Sequence, residues 1–135
     1  MATKSFQGGG SHVLDASAIL ALFLKEPGSE LVQRAGPNGV VSAVNVSEVI
    51  SKLLDRGSGL DTILAELDSL AFLVAHFDEA RARAAGALRD RTRTQNISVA
   101  DRACLALAIE TSLPIYTTDR AWSELGLGLD IRQLR

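Results

Sequence analysis

Four carboxylates stand where a folded chain gathers ligands: Asp15 in VLDASAIL, Glu48 in NVSEVI, Asp101 in SVADRACLALA and Asp119 in PIYTTDRAW. Each lies at the end of a strand-like apolar run or in the first turn of a helix-like one, and in an open α/β sheet such positions line a common crevice. Brought together, they form an oxygen-rich cage suited to Mg2+ or Mn2+, because hard cations prefer carboxylate and water to imidazole or thiolate. Zinc is not indicated. His12 and His76 are far apart, and Cys104 sits between Ala103 and Leu105, where it reads as a small buried hydrophobe.

Three of the acids also have a structural reading. Asn45-Val-Ser-Glu48 and Ser98-Val-Ala-Asp101 both match a capping box, in which an acid at the third helical position satisfies the cap's backbone N–H. Asp119 fits the N-cap of a short helix. Asp15 is harder to explain by capping, since a carboxylate directly after buried strand residues must find solvent, a partner or a metal. Four acids at four such positions carry more information than any one of them.

The elements that must position these residues follow from periodicity and punctuation. Residues 13–14 begin a buried strand, residues 16–25 a helix with Ile19, Leu20, Phe23 and Leu24 on one face, and residues 29–35 a second helix. Gly36-Pro37-Asn38-Gly39 breaks the chain before a strand over residues 40–44, and Asn45 opens a helix to about Arg56. A helix over residues 60–70 completes a hairpin. Strands are expected over residues 71–76, 113–117 and 130–133, the last at an edge. Asp78 caps a helix to about Arg91, Ser98 a helix to about Ser112, and Asp119 a short helix to Leu125. Strands alternating with helices predict an α/β fold: a mainly parallel central sheet between two helical layers, joined by right-handed crossovers.

A chain of 135 residues that is 47% hydrophobic suits one domain around one core. The opening MATKSFQGGGSH has no periodicity, so residues 1–12 are expected to be a flexible tail or cloning remnant outside a single domain over residues 13–135. The apolar runs at residues 18–24 and 103–109 fall far short of the roughly 20 residues that span a bilayer, so no membrane helix is expected. One cysteine excludes an internal disulfide, and with no secretory pattern the expected compartment is the cytoplasm. The net charge of −2 gives no general pull toward nucleic acid. Residues 81–102 nevertheless hold Arg81, Arg83, Arg89, Arg91, Arg93 and Arg102, a stretch that reads either as a phosphate-contacting surface or as a solvated helix face.

The ordered set VLDAS, VSAVNVSEV, SVADRACLALA and PIYTTDRAW resembles the PIN-domain ribonucleases, especially the VapC-type toxins of bacterial toxin–antitoxin pairs, over residues 13 to about 132. Ser17, two residues after the first acid, and Thr117, two before the last, also match that pattern. One departure is Thr118, where similar sequences often carry a small apolar residue. The resemblance implies a three-layer α/β/α sandwich, a homodimer, an antitoxin partner, and RNA cleavage at an acidic Mg2+ or Mn2+ site. Asp15, Glu48, Asp101 and Asp119 are the acids it implies, with Ser17 and Thr117 as polar supports. Small size favours the toxin branch over PIN-domain roles in RNA processing.

The expected chemistry is metal-assisted hydrolysis of an RNA phosphodiester without a protein nucleophile. Asp15 and Asp101 are the expected central ligands, Asp119 completes the cage partly through water, and Glu48 orients water or holds a second ion. Two other readings compete. Asp15 could accept a phosphoryl group, but Lys4, Lys25 and Lys52 all precede the late strands where such enzymes place their lysine. A non-catalytic binding module of the same fold is the other reading.

Overall fold

The computed structural model describes residues 4–135. In chain order the elements are β1 (Lys4–Ser5), β2 (His12–Leu14), α1 (Ala16–Phe23), α2 (Ser29–Ala35), β3 (Gly39–Ser42), α3 (Ala43–Asp55), α4 (Leu60–Leu70), β4 (Leu73–Ala75), α5 (Glu79–Ala87), α6 (Val99–Thr111), β5 (Ile115–Thr117) and β6 (Ile131–Gln133). The strands form one six-stranded sheet in the order β1-β4-β3-β2-β5-β6. Every pairing is parallel.

Strand alternation generates the three layers. Successive side chains on a strand point to opposite faces. Val13, Val40 and Ile115 therefore pack with Ala85, Cys104, Leu105 and Trp122 on the α5–α6 side. Leu14, Val41 and Tyr116 pack with Ile19, Val49, Leu67 and Phe72 on the α1–α4 side. This is the α/β/α sandwich with a parallel sheet that the strand–helix alternation predicts.

Two local expectations are corrected. The opening segment is not wholly outside the fold, because Lys4 and Ser5 pair with Leu73 and Val74 and extend the sheet by an edge strand. The third strand stops at Ser42, whose hydroxyl accepts the Val44 amide at 3.3 Å and caps α3. Asn45 thus lies inside the helix, and no Asn45–Glu48 capping box forms. A serine directly after two valines fits either a strand or a cap, and the hydroxyl bond decides it.

Gly28 shows how closely Leu134, just after β6, packs against the start of α2. It adopts φ +90°, and a Cβ there would lie 2.8 Å from Leu134 Cβ and 2.9 Å from its carbonyl carbon. Gly57, at φ +94°, has nothing within 4 Å of the same position. Gly28→Ala is expected to lower stability by about 2–4 kcal/mol, through left-handed strain plus overpacking. Gly57→Ala loses only the backbone part, about 1–2 kcal/mol. Urea denaturation of both variants checks the difference, and equal losses would show that the Leu134 contact contributes nothing.

Candidate metal centre

Asp15 follows β2 directly and supplies the N-cap position of α1, yet its side chain caps nothing. It is buried, at 4% exposure, and its two oxygens are treated differently. Ser17 Oγ and Thr117 Oγ1 both donate to Oδ2, at 2.6 and 2.9 Å. Among the described residues no donor reaches Oδ1. A hydroxyl has one proton to give, so both hydroxyls, having donated to Asp15, act toward the backbone as acceptors. Ser17 Oγ accepts the Thr118 amide at 2.9 Å and Thr117 Oγ1 accepts the Asp119 amide at 3.0 Å. This chain of bonds fastens the end of β2 to the end of β5.

Burial pushes the Asp15 carboxyl up to about 6 from 3.8; the Ser17 and Thr117 hydroxyls oppose that rise, and the charges of Asp101 and Glu48 add to it. Among the described residues, the charged groups that act on Asp15 are both acids. The charges of Asp15, Asp101 and Glu48 also act on Cys104. Its thiol is fully buried and raised well above its ordinary range, chiefly by burial, as befits an inert core residue.

Each remaining acid is held by a local partner. Glu48 Oε1 accepts from Asn45 Nδ2 at 3.2 Å, and Glu48 Oε2 meets Lys52 Nζ at 3.1 Å. Asp101 forms the capping box expected of it: Oδ2 accepts the Ser98 amide and Ser98 Oγ accepts the Asp101 amide, both at 3.1 Å. Asp119 caps a 3₁₀ turn over Arg120–Glu124, its Oδ1 accepting the Ala121 amide at 3.0 Å. Asp101 Oδ1 and Asp119 Oδ2, like Asp15 Oδ1, receive no donor among the described residues.

The fold therefore brings Glu48 and Asp101 each within electrostatic reach of Asp15, and ties the Asp119 backbone to Asp15 through Thr117. As the side chains stand, no three acidic, imidazole or thiol groups among the described residues converge on one ion position. The donor set still fits a hard cation. Among the described residues, three aspartates each keep an oxygen without a donor, and the charges that act on the buried Asp15 are acidic.

The arginine-rich stretch is more structural than its charge suggests. Arg81 binds both oxygens of Glu110 at 3.0 Å and the His76 carbonyl at 2.9 Å. Arg102 donates to the Ala85 and Ile97 carbonyls, bracing the loop before α6. Arg83 pairs with Glu79 and Arg93 with Asp90. Only Arg89 and Arg91 of the group are exposed without a partner among the described residues.

Sequence reasoning missed two side chains near the acids. Ser42 caps α3, and Asn45 bridges Glu48 to the Ala100 carbonyl at 3.1 Å, one residue before Asp101. The available signal for Asn45 was its spacing of three residues from Glu48, which puts both on one helix face.

The family model for the PIN domain matches residues 12–127. The chain belongs to the PIN-domain family. No curated protein matches it significantly. Solved structures show the PIN fold over nearly the whole chain. A toxin–antitoxin complex from Klebsiella pneumoniae superposes with a TM-score of 0.73 at 17% identity, covering 93% of this chain and 98% of the other. A DNA-bound VapBC complex from Salmonella typhimurium gives 0.73 at 16% identity, covering 93% and 99%. VapC20 of Mycobacterium tuberculosis, a toxin that cleaves the sarcin–ricin loop, gives 0.75 at 19% identity, covering 90% and 99%. No helix among the described residues of this PIN domain is long and apolar enough to cross a membrane.

Proposed function

We propose that this PIN domain is a metal-dependent endoribonuclease and the toxin half of a toxin–antitoxin pair. The observation that carries the reading is the state of Asp15: buried, fixed by two hydroxyls through one oxygen, free at the other, and neighboured by acids. Asp15, Asp101 and Asp119 would hold Mg2+ or Mn2+ through their free oxygens, with Glu48 beside them. Bound there, the ion supplies Lewis acidity to a phosphoryl oxygen and lowers the pKa of an attacking water. Ser17 and Thr117 stop the Asp15 carboxylate from rotating. Glu48, held between Asn45 and Lys52, is positioned to orient water.

Ser17→Ala tests the hydroxyl clamp. Loss of a donor to the charged form moves the Asp15 carboxyl further up, so the pH midpoint of cleavage is expected to rise. Metal affinity should fall about 10–100-fold, as when other ligand-orienting partners are removed. Cleavage rates between about pH 5 and 9 check the shift. An unchanged midpoint contradicts it.

Arg89 and Arg91 are available to phosphates, where they would add affinity without sequence information. An apolar groove lined by Ile19, Val46, Ile50, Leu64 and Phe72, with Leu54 and Leu60 exposed on the same two helices, α3 and α4, suits an antitoxin segment. Solved neighbours that are toxin–antitoxin complexes support such a partner, and the M. tuberculosis neighbour supports RNA as substrate. A homodimer in the cytoplasm belongs to the same reading.

Cleavage of a broad RNA panel tests the activity. Wild type is expected to cut with Mg2+ or Mn2+, to stop with EDTA and to recover with excess metal; Asp101→Asn is expected to lose about 10²–10³-fold in rate. One observation favours a non-catalytic domain instead, namely that three ligands do not converge as the side chains stand. RNA left equally uncut by wild type and variant would decide for that alternative.

A further inference from the structure

Asn45 is completely buried in α3, and the helix does not need it as a cap because Ser42 fills that role. Its amide nitrogen has two hydrogens, and each has an acceptor: Glu48 Oε1 at 3.2 Å and the Ala100 carbonyl at 3.1 Å. Chemistry fixes the orientation. Turning the amide over would set Asn45 Oδ1 against a carboxylate and a carbonyl, two acceptors with nothing to donate. Oδ1 itself is buried and has no donor among the described residues. An apolar side chain of similar volume would fill this position without leaving an acceptor unsatisfied, so packing alone does not account for an amide.

We propose that Asn45 is a positioning residue of the acidic site, clamping the Glu48 carboxylate to the α6 turn that carries Asp101 and so fixing the spacing of two acids from different helices. The clamp completes a fixed carboxylate. Lys52 holds Glu48 Oε2 from the next turn of the same helix, and Asn45 holds Oε1 from the previous one. Lys52 is half exposed, so its ion pair is weak and mobile, whereas the Asn45 bond is shielded from water. Removing Lys52 leaves Glu48 tethered to α6; removing Asn45 frees it to follow Lys52 outward.

The inference rests on the metal reading above, and its test separates the two. Mn2+ affinity is measured by calorimetry on wild type, Asn45→Leu, Glu48→Ala and the double variant, each checked for a cooperative melt without metal. Asn45→Leu is expected to weaken Mn2+ binding about 10–100-fold. In the Glu48→Ala background the same change is expected to add less than about twofold, because a clamp has nothing left to hold. A general packing role would lower affinity equally in both backgrounds and overturns the proposal. Affinity unchanged in a folded Asn45→Leu protein also overturns it. Should Asn45→Leu fail to fold, Asn45→Thr keeps one donor for Glu48 and is expected to retain affinity between the wild type and Glu48→Ala; affinity equal to Glu48→Ala overturns the clamp. Wild type that takes up no Mn2+ overturns the metal reading and this proposal with it.

Discussion

Asp15→Asn is expected to make the metal-free protein more stable at pH 7.5. Asp15 is protonated more readily in the fold than in the unfolded chain, its carboxyl lying at about 6 against 3.8. A group raised in this way contributes stability that is complete below about pH 4 and is lost as pH rises through about 6. At neutral pH and above, the ionised carboxylate therefore opposes folding by on the order of 3 kcal/mol. An amide keeps an oxygen for Ser17 and Thr117 without the charge. The expected gain is about 5–10 °C in melting temperature at pH 7.5, shrinking toward zero near pH 4. Saturating Mn2+ should close the gap from the other side, stabilising wild type by about 2.7 kcal/mol at a hundredfold excess over Kd and leaving the variant unchanged. Thermal melts at the two pH values, with and without Mn2+, check all three statements. A variant less stable than wild type at pH 7.5 would show that Asp15 acts as an ordinary structural hydrogen-bond acceptor.

The same substitution should abolish cleavage while improving the fold. Removing an electrostatic group that acts on the developing charge typically costs about 10²–10³-fold in rate. Loss of the most buried ligand is expected to reach at least that. The combination is informative, because a variant that is inactive through misfolding cannot also melt higher. Stability given up at a functional position is a common pattern in enzymes. Cleavage retained within about tenfold in a folded Asp15→Asn protein would remove Asp15 from the centre of the site.

The fold was legible wherever a local pattern decided it. Val13-Leu14 and Val40-Val41 are too apolar to be anything but strands buried on both faces, and their alternation with helices specifies a parallel sheet. Asp15 was legible for the same reason, as a carboxylate at the end of such a run, whereas Thr117 was singled out only by its place in the resembled family's pattern. Lys4–Ser5 was not, because its strand exists only through pairing with Leu73 and Val74, a tertiary contact with no local signature. Asn45 was read as a cap because its neighbours fit strand and helix alike, and a hydroxyl bond from Ser42 shifted the boundary by three residues. By charge alone, Arg81 and Arg102 fitted either a phosphate-contacting surface or a solvated helix face. Their guanidinium groups instead satisfy Glu110 and backbone carbonyls, partners that only the packing of α5 on α6 creates.

The most direct test of the account is a calorimetric titration of Mn2+ into wild type and Asp15→Asn at pH 6 and pH 8, repeated in buffers of different ionisation enthalpy. With the Asp15 carboxyl at about 6, saturable uptake by wild type should release about half a proton at pH 6 and almost none at pH 8, with tighter binding at the higher pH. Asp15→Asn should show no saturable uptake at either. Equal Mn2+ binding by the two proteins, or none by wild type, would contradict the metal centre at Asp15.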